Sequence, residues 1–483
     1  MEGDALGKVA LRITRIVGDG GERVPVDQQA ELLVHDGMVV TMDPQRRILN
    51  PGYVVVRDRK IVEVGAGVPS GYSATDRISA SGAVVLPGIV NAHNHLDQCL
   101  YRGCSDEERQ SRDILLRLAK GLTRDRARIA ARLTLLEQVR HGITTTHESH
   151  WTHFHRDSTD GICDAIVESG MRAVVARSMC NNDLTPPEFC ERPDDVIRDL
   201  DRLAAAYDDD RLQIISEPTT MMRCTADAIV AMRDWAAQHQ KIWHVHLAQD
   251  RAELEDALKT VGCGSVQYAL RLGVLGPEML AAHCSGLLDE EVALLGEHGV
   301  RVAHCPLTII RAGGLVPPIW DLERRGAIVG LGTDGSATNN GQNPWETMKL
   351  AVYMQRVRFS DRLLGSAEQA LELATIKAAR ALGLDGQVGS LEPGKWADIA
   401  VIPLNQPHLS PEARLLNNLV YSGGSTYADA VIVAGRVLVR DGRSIVFDEA
   451  DIIAQARRAQ HEMINEAGLG THIQLSRSWP SYS

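Results

Sequence analysis

Residues 86–95 read Leu86-Pro87-Gly88-Ile89-Val90-Asn91-Ala92-His93-Asn94-His95, an apolar, β-branched run that ends in two histidines two positions apart. Side chains alternate sides along a strand, so both imidazoles face the same way at its end. Two neutral imidazoles on one face can bind a metal ion, although H-x-H alone reads as readily as chance or packing. Its surroundings decide between these. Seven more short runs rich in Val and Ile follow at 143–148, 172–178, 212–217, 242–247, 280–284, 300–305 and 328–333. They alternate with helical patterns such as 124–140, 194–206, 225–239, 289–298 and 344–357. With 90–95 this makes eight parallel β/α units, the number that closes a barrel.

Three more of these runs end in metal-competent residues: His244 and His246 in the fifth, His283 in the sixth and Asp334 after the eighth. Barrel enzymes assemble their sites from the C-terminal ends of several strands, so four such ends in register predict a metal-centred site there. Outside the barrel, 30–65 and 389–444 read as short strands with turn signals at Asp36-Gly37, Asn50-Pro51-Gly52, Pro393-Gly394 and Asp441-Gly442. The predicted fold is α/β, a (β/α)8 TIM barrel over 86–388 with a small β-sandwich domain built from both chain ends. The end segments are 1–85 and 389–483, the second including a C-terminal arm.

At 483 residues, with 44% hydrophobic and 24% charged content, the chain is neither disordered, collagen-like nor membrane-embedded. No apolar run approaches a membrane span. Lys+Arg 51 against Asp+Glu 63 gives a net charge of -12, which argues against nucleic acid and for a small-molecule partner. Residues 1–12 interleave charges with small residues and lack a secretory signal, so a cytoplasmic location is expected. The nine cysteines are odd in number, scattered and never spaced C-x-x-C, which indicates neither a disulfide framework nor a zinc ribbon.

The 86–95 stretch resembles the first-strand signature of the amidohydrolase superfamily, in the branch of cytosine and guanine deaminases and s-triazine hydrolases. Gly142-Ile143-Thr144-Thr145-Thr146, His246-Leu247-Ala248, Ala282-His283-Cys284, Ala303-His304-Cys305-Pro306, Gly332-Thr333-Asp334-Gly335 and the run from Gly389 to Asp398 follow in the family's order. The resemblance covers about residues 30–445. It implies one divalent metal ion, zinc first and iron as the alternative, held by His93, His95, His246 and Asp334. It further implies a metal-activated water attacking an electron-poor carbon, with Asp334 taking the water's proton and His283 orienting it. The fourth strand, Leu212 to Pro218, lacks the lysine of the two-metal branches, which favours one metal. His244 is assigned a packing or supporting role. Homodimers are common among resembling proteins.

The chain departs from the family's deaminases at Gln249, where they carry a glutamate that protonates the ring nitrogen. An amide can hydrogen-bond to substrate but cannot titrate. Three readings follow, in order: another carboxylate substitutes, Glu217 or Glu148 being nearest by strand position; a better leaving group needs less proton delivery; or catalysis is lost or replaced. Gln98, Glu148, Trp151 and His304 are the substrate-binding candidates. The histidine-rich segment His147 to His155 reads as pocket lining or as a second metal site. The expected function is an aminohydrolase of a purine, pyrimidine, pterin or triazine. The alternatives are hydrolysis of an amide, urea, carbamate or C–Cl bond, and a catalytically silent metal-containing ligand-binding barrel.

Overall fold

The short strands expected at the two chain ends meet in one sheet. The computed structural model describes residues 29–69, 71–104, 111–151, 153–411 and 413–470, so the first 28 residues and most of the C-terminal arm lie outside the described residues. Strands β1 (Gln29–Val40), β2 (Ile48–Arg57), β3 (Lys60–Ala66), β4 (Ser73–Ser79) and β5 (Ala83–Pro87) come first. Eight strands of the central region follow: β6 (Ile89–Asn91), β7 (Ile143–His150), β8 (Arg172–Met179), β9 (Leu212–Pro218), β10 (Trp243–Leu247), β11 (Met279–His283), β12 (Arg301–His304) and β13 (Ile328–Leu331). β14 (Ile399–Pro403), β15 (Ala430–Val433), β16 (Arg436–Arg440) and β17 (Arg443–Ser444) close the series.

The outer sheet has nine strands in the order β17-β16-β15-β14-β5-β1-β2-β3, with β4 also on β1. β5 joins its two halves, parallel to β1 and antiparallel to β14 with Val85 opposite Val401. The Asp36-Gly37 pair is not a turn but a bulge inside β1. The reason is close approach: a Cβ on Gly37 would lie 2.7 Å from the Ala80 Cβ, which only glycine tolerates.

The central strands form two four-stranded parallel sheets, β6-β7-β8-β9 and β10-β11-β12-β13. Every residue of β7, β8 and β11 is buried, as expected of parallel strands covered on both faces. Between the two sheets, His246 N–H donates to Thr219 C=O at 3.2 Å, Ala92 N–H to Leu331 C=O at 2.8 Å and Asp334 N–H to His93 C=O at 3.0 Å. Val90, Val174, Ala176, Ile215, Leu280 and Ala303 pack in one apolar cluster with the helix Ile376–Ala381.

Helices occupy the predicted gaps, each started by local chemistry. Thr123 caps Arg124–Arg140 and Thr225 caps Ala226–Gln238, their hydroxyls accepting N–H bonds from Arg126 and Ala228. Within the stretch expected as short strands, Leu415–Ser422 is a helix, and beyond it Glu449–Glu466 forms another. The second buries Ile452, Ala456, Ala459 and Met463, and its Glu466 pairs with Arg126 at 2.6 Å, so it covers the helix Arg124–Arg140 rather than extending the sheet. Among the described residues no helix is long and apolar enough to cross a membrane.

Asp398 ties the two sheet systems together. Its carboxylate accepts from Arg172 Nε on β8 at 3.2 Å and from the Ala434 N–H after β15 at 2.8 Å, with both charged side chains buried. Removing one partner of a buried ion pair strands the other charge, at about 3–5 kcal/mol. Asp398→Ala is therefore expected to lower unfolding stability by that order, read as a denaturant midpoint, and a midpoint equal to wild type would contradict the clamp.

Candidate active site

Strand alternation sorts the polar residues of the central strands. On β10, His244 and His246 share one face, while Val245 joins the outer core. On β9, Glu217 shares the inward face of Ile215, and Ser216 on the other face donates to Met232 C=O of the outer helix Ala226–Gln238. β6 stops at Asn91, earlier than the histidine pair predicts. The next residues stay in place because Asn94 C=O accepts from Ser149 N–H at 2.8 Å and His93 C=O from Asp334 N–H.

Four side chains converge above the apolar cluster. His95 Nε2 lies 3.4 Å from His246 Nε2 and 3.4 Å from Asp334 Oδ1, and His93 Nε2 lies 3.8 Å from the same oxygen. The far nitrogens set the tautomers. His95 Nδ1–H donates to Ser149 C=O at 2.5 Å and His246 Nδ1–H to Thr219 C=O at 2.8 Å. Both Nε2 lone pairs therefore point at each other and at a carboxylate oxygen. His93 is fully buried and neither of its ring nitrogens has a partner. Lone pairs packed together out of water are unfavourable unless a cation lies among them, so these donors fit a divalent metal.

Electrostatics agree with that reading. Burial holds the His93, His95 and His283 imidazoles well below their ordinary range, at about 4 for His95 and about 3 for His283, which leaves them neutral and able to donate a lone pair. Burial also acts on His246, but Glu217 and Asp334 outweigh it and lift its pKa. For Asp334 burial is outweighed by His283 and His95, so the carboxylate stays ionised. Its Oδ2 accepts from the Thr308 hydroxyl at 2.7 Å and its Oδ1 from Gly335 N–H at 2.6 Å.

His283 and Asp334 both have left-handed backbones, with φ of 74° and 62°. His283 has the strand parity of the outward residues Met279 and Ala281, yet it lines the cavity. Such strain at a non-glycine residue marks a functional constraint.

A cavity of about 480 Å³ opens over this cluster. His95, His246, His283 and Asp334 line it, together with Gln98, Trp151 and Gln249. Ala248 and Gln249 N–H groups donate to Glu253 at 3.1 and 3.0 Å, which anchors the Gln249 backbone. Leu115, Leu116, Leu184, Phe189 and Met222 supply apolar wall, and Arg112 and Arg223 also line the cavity.

Three sequence candidates lie elsewhere. Glu148 sits on the other face of β7 from His147 and Ser149, accepts from Leu96 N–H at 2.5 Å and does not line the cavity. Glu217 lies behind His246, 3.2 Å from the Nδ1 atoms of His244 and His246, and accepts from the Ser149 hydroxyl at 2.8 Å. His304 is buried on the face of Val302, without a partner, and does not line the cavity. His147, His150 and His153 are buried and do not line the cavity, the His147 ring lying 4.5 Å from that of His244 at a tilt of 40°. The apolar wall was missed because it comes from segments between strands, where no spacing marks it. The carbonyls that orient His95 and His246 carry no sequence signal at all.

The model of the amidohydrolase family matches residues 84–438. The chain is 31% identical over 437 residues to the 5-methylthioadenosine/S-adenosylhomocysteine deaminase of Moorella thermoacetica, covering 89% of this chain and 99% of that protein. It is 31% identical over 451 residues to the 5'-deoxyadenosine deaminase of Methanosarcina mazei, covering 90% and 99%. Among solved structures, a glutamate-to-glutamine mutant of the Arthrobacter aurescens atrazine chlorohydrolase with zinc and atraton superposes with a TM-score of 0.84 at 26% identity, over 89% of this chain and 100% of that one. A zinc-bound adenosine deaminase from Xanthomonas campestris has a TM-score of 0.85 at 24% identity, over 91% and 99%, a likeness of fold.

Proposed function

The chain belongs to the amidohydrolase family, and from that footing we propose that it is a metal-dependent aminohydrolase that removes an amino group from a nitrogen heterocycle, an adenosine derivative being the first candidate. The convergence of His95 Nε2, His246 Nε2 and Asp334 Oδ1 carries this reading. The deaminases of adenosine derivatives among its relatives and the cavity of about 480 Å³ with its Trp151 and Phe189 walls support the substrate class.

His93, His95, His246 and Asp334 would hold one divalent ion, zinc first, whose Lewis acidity brings a water's pKa toward neutrality. Asp334 accepts the water's proton and returns it to the departing amino group, which leaves as ammonia; Thr308 and Gly335 hold the carboxylate in place. His283 hydrogen-bonds and orients the attacking water. Gln249 and Gln98 bind the ring edge by amide hydrogen bonds, and Trp151 packs against it. Glu217 supports His246 instead of moving protons to substrate, as its place behind the imidazole favours.

The fold follows the same reading. The bonds between the two parallel sheets and their shared interior cluster support a closed (β/α)8 barrel over 86–388. We assign residues 1–85 and 389–483 to a second unit; its described strands support this, because Ile61 on the edge strand β3 and Ile432 on β15 share one core, as in a sandwich. We place the protein in the cytoplasm as a homodimer; Val357 at 80% and Leu363 at 77% exposed offer apolar dimer surface, and sedimentation tests this.

The decisive experiment measures metal content together with ammonia release from 5'-deoxyadenosine, methylthioadenosine, S-adenosylhomocysteine, and aminated pyrimidines, pterins and triazines. About one equivalent of metal at this site with ammonia from one ring class supports deamination. Gln249 favours a second reading, hydrolysis of a C–Cl bond, whose leaving chloride needs no proton, or of an amide, urea or carbamate bond whose leaving amine is protonated by another group. Metal without ammonia but with another released product selects it, and metal with no turnover on either panel selects a silent binder. Gln249→Glu is expected to lower turnover on the true substrate by about 10–100-fold, since the hydrogen-bond donor is lost; unchanged turnover would show that Gln249 does not touch substrate.

A further inference from the structure

The outer face of β7 carries a second group of unsatisfied ligand atoms, separate from the four residues of the cavity. Glu148, His150 and Asp97 are fully buried, and one ligand atom of each lies within 4.8 Å of the others. His150 Nδ1 is 3.7 Å from Glu148 Oε1.

The hydrogen-bond network fixes the His150 ring. The Ser158 hydroxyl donates to His155 C=O at 2.7 Å and so accepts from His150 Nε2–H, also at 2.7 Å. Nδ1 then carries a lone pair, has no partner, and faces a carboxylate oxygen rather than donating to it. Glu148 Oε2 takes the Leu96 N–H, while Glu148 Oε1 has no donor and Asp97 has the Tyr101 hydroxyl beside it. Neither carboxylate has an Arg or Lys partner among the described residues. The Tyr101 hydroxyl is likewise buried and faces the Asp97 carboxylate.

We propose that Asp97, Glu148 and His150 bind a second divalent cation, a first-row transition metal such as zinc or manganese, completed by Tyr101 or a trapped water. Two carboxylates balance a double positive charge in a site that offers no other counter-charge. The mixed oxygen and imidazole donors suit such an ion better than calcium or magnesium, which take all-oxygen shells. The ion braces the segment that presents His95. Asp97 lies two residues beyond it, Glu148 holds Leu96 N–H, and the neighbouring Ser149 carbonyl orients the His95 ring.

The test is anomalous diffraction from full-length protein grown in zinc-supplemented and, separately, manganese-supplemented medium, collected at each metal's edge. Two peaks are expected with at least one of the metals, one among His93, His95, His246 and Asp334 and one among Asp97, Glu148 and His150. Elemental analysis should then count two equivalents in the wild type and one in both Glu148→Gln and Asp97→Asn. A single peak at the first position with either metal, and one equivalent unaffected by these substitutions, overturns the second site and points to carboxyls kept neutral by protons. A peak at the second position with none at the first would sink the proposed function but leave this inference standing.

Discussion

Asp334→Asn is expected to lower kcat by at least about 10³-fold at full metal occupancy, toward the upper end of the about 10²–10⁴ range of a proton-transferring group. The geometry explains why so small a change costs so much. Asp334 Oδ1 lies among His93 Nε2 and His95 Nε2, and Oδ2 is fixed by the Thr308 hydroxyl, so one carboxylate serves as metal ligand and as proton acceptor. An amide keeps the shape, loses the negative charge and cannot take up a proton at neutral pH. Turnover has to be measured at saturating zinc with the bound metal counted in the same sample, because weaker metal binding alone also lowers activity. A variant that retains its metal and keeps kcat within tenfold of wild type would remove Asp334 from the chemistry.

Glu217→Gln separates two roles for one buried carboxylate. Glu217 is fully buried, faces the Nδ1 atoms of His244 and His246 at 3.2 Å and accepts from Ser149. Burial would raise its pKa, but the two histidines pull it well below the ordinary carboxylate range. The substitution removes that charge from behind a metal-binding imidazole. Partners of this kind contribute about 10–100-fold to metal affinity. The expected result is zinc affinity weakened by that factor, measured by competition with a chelator, together with about 1–3 kcal/mol of lost stability from the broken hydrogen bonds. Near-normal kcat should return once zinc is saturating. If instead zinc affinity is unchanged and kcat falls more than 100-fold, Glu217 is the proton carrier that replaces the family's glutamate at position 249.

Much of this protein is legible in order along the chain. Parallel strands buried on both faces are rich in β-branched residues, so runs such as β7 to β13 stand out, and two of the helices between them begin at Thr123 and Thr225 because a hydroxyl there satisfies a free N–H. Histidines at strand ends and the amidohydrolase motifs likewise lie on contiguous residues, so the candidate ligands are legible along the chain.

The remaining placements depend on things that one dimension does not record. Glu148 and Glu217 both sit near the C-terminal ends of central strands, β7 and β9, but parity sends Glu148 to the outer face and Glu217 under His246. His283 has outward parity and reaches the cavity through a left-handed backbone. The docking of the helix Glu449–Glu466 on Arg124–Arg140 is a long-range contact that no local pattern marks. The sequence by itself determined which chemistry the chain could carry and in what order its elements run, because composition and periodicity are local. Only the tertiary structure decided which carboxylate meets which imidazole, because those encounters are set by strand parity, backbone handedness and packing between residues far apart in the chain.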